Sequence, residues 1–202
     1  MDKSAYELQY YNSNVSNYAS NEFLHINSCG ISRYSFKDKS LALRQHRPDG
    51  RKDYHILYMV RGRKEIIIEG KAYEMLPGDA ALYMPGIPQD YTFFVDEVSP
   101  VCESLYIHFS GKCVDEALNA AGLTKSCFLP SAGRQVGRLT VSLITDFRMG
   151  NRLSACGQLL RILPVLTQKQ SSASSESIRR IHRQLEYIGI HFAEEIDLDR
   201  CA

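Results

Sequence analysis

Four residues of this chain carry polar chemistry where a barrel of strands would aim it at a cavity. In Tyr106-Ile-His-Phe109, Tyr106 and His108 share one face of a strand and Ile107 and Phe109 the other. With the polar pair inward, the strand supplies an aromatic wall and a hydrogen-bonding tip for a polar small molecule. The other reading is a hydrogen-bonded core histidine beneath a tyrosine. Arg47, before Pro48 in a loop leading to the first long strand, is placed either to clamp a carboxylate or hydroxyls with its fixed fork or to rest in solvent. Tyr91, after Pro85-Gly86-Ile87-Pro88, belongs either to a pocket rim or to an ordinary strand. A barrel that holds a catalytic divalent ion needs two close histidines on one strand, a carboxylate shortly after, and a third histidine from a later strand. Here Leu57 follows His55 where a second ligand would stand, and Gln89 takes the late position. No metal and no cofactor is therefore expected, and a metal-dependent isomerase or oxygenase becomes the rival reading.

These residues are held by short alternating apolar runs between Arg51 and Gly111: His55-Ile-Leu-Tyr-Met-Val60, Glu65-Ile-Ile-Ile-Glu69, Ala80-Ala-Leu-Tyr-Met84 and Ser104-Leu-Tyr-Ile-His-Phe109. Turn signals at Arg61-Gly62, Glu69-Gly70-Lys71, Pro77-Gly78-Asp79 and Pro85-Gly86 separate them. Evenly spaced strands with glycine at nearly every reversal predict a small closed barrel with room for side chains or one small ligand. It spans residues 23–111, after an arm at 1–22 rich in Tyr, Asn and Ser that orders only by lying on something else.

After Gly111 the apolar period lengthens to that of a helix. Val114, Leu118 and Ala121 share a face that Gly122 ends. Val136, Leu139, Leu143 and Phe147 predict a helix over 133–149, and a third helix is predicted over 152–169. The third carries two apolar stripes, Leu153, Cys156, Leu160 and Leu163 on one and Leu159, Ile162 and Leu166 on the other. One stripe packs on the barrel; the first is either core or a dimer interface. Pro164 is expected to kink or weaken this helix. The helical region, 112–169, gives way to a linker at 170–177, Ser-rich and without an apolar anchor, and a further helix begins within 178–202.

The net charge of +1, from 24 basic and 23 acidic residues, leaves no whole-surface attraction for a polyanion. Six cysteines without a C-x-x-C pair, a start lacking an apolar leader and no apolar run near the ~20 residues of a membrane span predict reduced thiols in a cytoplasmic protein. Nucleotide and serine-nucleophile motifs are missing.

The segments Asp53-Tyr-His-Ile-Leu-Tyr-Met-Val-Arg-Gly62, Gly70-Lys-Ala-Tyr-Glu-Met-Leu-Pro-Gly-Asp79, Leu82-Tyr-Met-Pro-Gly86 and Tyr106-Ile-His-Phe-Ser-Gly111 stand in an order and at a spacing that resembles the AraC family of bacterial transcription regulators. Gln184-Leu-Glu-Tyr-Ile-Gly-Ile-His-Phe192 and Ile196-Asp-Leu-Asp-Arg-Cys-Ala202 look like the start of that family's double helix-turn-helix domain. The resemblance implies a mainly β chain with α: a cupin-like (jelly-roll) sensor barrel, a helical hairpin for dimerisation, and the first helix of a truncated DNA-binding domain. It implies a non-enzymatic regulator whose partners are a small-molecule effector, with a sugar as the leading candidate, a second copy of the chain, and operator DNA through the missing domain. Arg47, Tyr91 and Tyr106 stand where sugar-sensing members place pocket residues. The third rival is a ligand-free dimerisation module with a filled barrel.

Overall fold

The computed structural model describes residues 5–12, 22–35, 43–95 and 100–168. One antiparallel sheet runs in the order β1 (Ala5–Asn12), β2 (His25–Ser35), β9 (Val101–Ser110), β4 (Tyr54–Arg61), β7 (Ala80–Tyr83), β10 (Cys127–Leu129). The other runs β3 (Leu43–Arg47), β8 (Gln89–Phe94), β5 (Arg63–Ile68), β6 (Lys71–Met75). Their facing sides enclose the barrel, while α1 (Val114–Ala120), α2 (Arg134–Arg148) and α3 (Arg152–Thr167) cover the back of the larger sheet.

Strand alternation builds both layers at once, because successive side chains point to opposite faces. Ile56 and Tyr58 on β4, with Leu105, Ile107 and Phe109 on β9, face the helices and meet Val136, Leu143 and Leu159. Leu57 and Met59 point the other way and join Ile66, Tyr91 and Phe93 inside the barrel. The helix layer lies close. At Gly137 of α2 an added Cβ would sit 2.7 Å from Cε1 of Tyr58, so only glycine lets the helix approach the sheet there. A buried carboxylate, Asp79, ties the barrel to this layer: its oxygens accept the backbone N–H groups of Leu76 at 2.9 Å and Ser131 at 2.8 Å.

Several expectations need correction. Arg47 is not in a loop; it ends β3, in register with Gln89 of β8, because the turn itself begins only at Pro48. The region expected to be wholly helical, 112–169, also contains β10, which extends the larger sheet by pairing with β7. The arm, expected to order only by lying on something else, lies on its own chain: Ala5–Asn12 runs along β2 as β1. Leu163 does not share the free face of α3: it is 3% exposed among core residues, whereas Leu153 is 88% and Leu160 41% exposed. At about 100° per residue, Leu163 falls about 40° from Leu159 and about 60° from Leu166, both core, and about 80° from Leu153. The expected kink at Pro164 is a separate matter from the extent of α3: the helix contains Pro164 at an exposed position and continues to Thr167.

No helix among the described residues is long and apolar enough to cross a membrane. The expected linker at 170–177 and helix-turn-helix start at 178–202 lie outside the described residues.

Candidate functional site

The barrel contains a cavity of about 140 Å³, several times the ~30 Å³ share of one liquid water. Arg47, Tyr91, Tyr106 and His108 all line it. Each comes from a strand, so its aim is set by sheet register. Tyr106 and His108 point inward because Ile107 and Phe109 are taken by the helix-facing core. The register sets His55 of β4 opposite His108 of β9, and the two rings lie 4.2 Å apart between centroids.

A hydrogen-bonded chain crosses from one sheet to the other. The Tyr91 hydroxyl donates to Gln89 Oε1 at 2.7 Å and lies 3.1 Å from His55 Nδ1, which therefore carries its proton and donates to the tyrosine oxygen. Arg47 Nη1 reaches the same Gln89 oxygen at 3.5 Å. With two donors meeting at that atom, the amide oxygen is the end that faces them. Gln89 Nε2 is left buried without a hydrogen-bond partner.

Burial depresses both histidines well below their ordinary value, His55 helped by the positive charges of Arg51, Arg47 and Lys64. For His108 the further causes are His55, Arg51 and Arg47. Both rings are neutral, and Tyr91, whose pKa burial raises, is a phenol.

Lys64, Arg51, Ser28 and Ser32 also line the cavity and were not anticipated from the sequence. Lys64 is 1% exposed; its ammonium donates to Ser104 Oγ at 2.9 Å and lies 4.2 Å from the centre of the Phe93 ring. Ser104 Oγ accepts from the ammonium and is also hydrogen-bonded to Ser32 Oγ, 2.9 Å away, a pair in which either hydroxyl can be the donor. Burial lowers the Lys64 pKa from 10.5 to about 8, so at neutral pH it is still mostly charged. A period-2 reading of Lys64-Glu-Ile-Ile-Ile68 would have found it: Lys64 shares a face with Ile66 and Ile68, which are core. Arg51 Nε and Nη2 hold Asp53 at 2.7 and 3.2 Å, and Asp53 also accepts Asn27 Nδ2 at 3.0 Å.

Among the described residues no three His, Cys, Asp or Glu side chains are grouped as metal ligands. Leu57 and Gln89 occupy the positions where further donors would be needed, so the residues present do not fit a bound divalent ion. Among the described cysteines, burial raises the Cys29 thiol to about 12 and pushes Cys102, Cys113, Cys127 and Cys156 upward, which favours the thiol over the thiolate in each.

The residues proposed for a dimer interface divide. Leu153, Cys156 and Leu160 line a largely apolar groove of about 500 Å³ with Phe23, Leu24 and Phe147, while Leu163 belongs to the core.

Several solved structures resemble parts of this chain. A Clostridium difficile EutQ protein is 16% identical over 44% of this chain and 58% of its own, with a TM-score of 0.30. The Schizosaccharomyces pombe Cnp3 cupin domain is 7% identical over 55% and 65%, with a TM-score of 0.39. The Escherichia coli YhaK protein is 12% identical over 52% and 45%, with a TM-score of 0.40. This chain thus spans little more than half of the EutQ chain's length. No curated protein matches the sequence. The model of the AraC-like ligand-binding domain matches residues 29–198, most of the chain. The chain belongs to the family of AraC-like ligand-binding domains.

Proposed function

We propose that this chain is the effector-sensing and dimerising part of a cytoplasmic transcription regulator, and that it catalyses no reaction. A small polar molecule, a sugar or a comparable hydroxylated ligand, enters the barrel and changes how two copies present DNA-binding domains to paired half-sites. The observation that carries this reading is the cavity. Its wall includes Arg47, Tyr91, Tyr106 and His108, a fork of donors, two phenols and a neutral imidazole, which suits a polar ligand with several hydrogen-bonding groups. The groove beside α3 supports dimerisation, since Leu153 and Phe23, 88% and 70% exposed, are apolar side chains that a second copy would cover. An effector switches such a dimer only by binding its two arrangements with different affinity.

A thermal-shift screen of the chain against mono- and disaccharides, sugar acids and divalent metals tests the reading, because a ligand of the native state raises the midpoint by mass action. One class of small polar molecule is expected to raise it. Arg47→Ala is expected to weaken that ligand by about 10- to 100-fold with the fold intact, as loss of a charged hydrogen bond costs ~1.5–3 kcal/mol. A midpoint indifferent to every small molecule, or responding to metal alone, overturns the reading.

A further inference from the structure

The cavity holds more positive charge than its own wall neutralises. Arg47, Arg51 and Lys64 line it, and among the described residues no carboxylate does. Arg51 is matched by Asp53 just behind the wall. Lys64 is not: its ammonium meets a serine hydroxyl and an aromatic face, and it forms no ion pair with any described residue. Arg47 is half-buried and likewise forms none with a described residue, its guanidinium reaching the neutral Gln89 and Tyr91 side chains. A buried cation without a counter-charge is costly, and nothing in barrel packing asks for one where Ile66 and Ile68 fill the same face. Among the described residues nothing supplies the compensating charge, and an anion bound in the cavity would.

We propose that the effector is a small carboxylate, seated with its oxygens between Arg47 and Lys64 and its remaining hydroxyls toward Ser32, Tyr106 and His108. This rests on the barrel cavity being the effector site. Donor geometry, not the charge count, selects carboxylate over phosphate. One guanidinium fork and one ammonium match its two oxygens, and its charge offsets one of the two cations. The third oxygen of a phosphate meets no further uncommitted cation, because Arg51 is held by Asp53 at 2.7 Å.

Matched probes decide the matter by calorimetry and thermal shift: D-galactose, D-galacturonate and galactose 6-phosphate; glycerol, glycerate and glycerol 3-phosphate; benzyl alcohol and benzoate. At least one carboxylate is expected to bind where its neutral partner does not. Its affinity is expected to fall about 10- to 100-fold in Lys64→Met and in Arg47→Gln. Circular dichroism of each variant checks the fold, and Lys64→Arg, which keeps the charge, is expected to retain more binding than Lys64→Met. Neutral members binding as tightly as their acids, or acid binding unchanged in both variants, overturns the carboxylate while leaving a sensor. Binding of the phosphates alone overturns it as well. No binding by any probe at millimolar concentration overturns both the carboxylate and the sensor.

Discussion

A lysine ammonium drawn out of water against Phe93 and Ser104 lowers the stability of the empty barrel. Its pKa falls from 10.5 to about 8, so across that interval the unfolded chain holds a proton that the native chain has given up. Stability therefore rises with pH from about 8 to 10.5 and is lowest, with respect to this group, below about 8. Lys64→Met is expected to raise the thermal midpoint of the ligand-free protein at pH 7 by several degrees, equivalent to a few kcal/mol, with the advantage gone near pH 10.5. A midpoint lowered at pH 7 would show that the hydrogen bond to Ser104 outweighs the desolvation. The histidines act in the opposite part of the scale. Both are held neutral in the native state, so as pH falls through the ordinary histidine value of 6.5 the unfolded chain gains protons that the native chain refuses. Stability is expected to fall between pH 7 and 5, and ring carbon shifts of His55 and His108 in NMR spectra are expected to remain those of neutral imidazole at pH 6.

Strands and helices differ in how openly the sequence declares them. The period-2 runs of β4, β5 and β9 and their glycine turns are local signals, as are the apolar faces of α2 and α3. β10 has three residues and exists because β7 offers it an edge, a tertiary cause with no local mark. Arg47 was legible as a pocket candidate but not as a strand residue, since its pairing with Gln89 depends on where β8 lies. Arg51 and Ser28 escaped notice for a similar reason: their aim depends on a loop and on a β2 register shift between Ile26 and Ser28. Lys64 alone was readable from alternation, hidden by the charged neighbours Arg63 and Glu65. At this scale Asp79 joins the β6–β7 turn to the segment leading into α2 through two backbone donors. Asp79→Ala is expected to cost about 2–4 kcal/mol in urea unfolding, since it strands two backbone N–H groups at a buried site. Gly137→Ala is expected to destabilise as well, by about 1–3 kcal/mol, despite alanine's higher helix propensity, because the added methyl meets the buried Tyr58 ring at 2.7 Å. An unchanged midpoint in Gly137→Ala would mean that α2 slides freely over the sheet.

The whole molecule has two layers with separate tasks. One sheet face and the opposing four-stranded sheet enclose the cavity; the other face carries the helices and, beside α3, the apolar groove. β9 belongs to both, offering Tyr106 and His108 to the cavity and Ile107 and Phe109 to the helix-facing core, so a ligand that shifts this strand acts on both layers. In the proposed dimer, Leu153→Glu is expected to turn a dimer into a monomer in sedimentation velocity while leaving the monomer's own packing intact, because that side chain is 88% exposed. The corresponding change at Leu163, 3% exposed, would unfold the helix layer instead. The central claim is that the barrel receives a small polar effector, and the most direct test is NMR mapping of the chain with the molecule that raises its thermal midpoint. The account expects the largest changes at the His55 and His108 rings and along β3, β8 and β9; changes confined to Leu153, Leu160 and the groove beside α3 would contradict it.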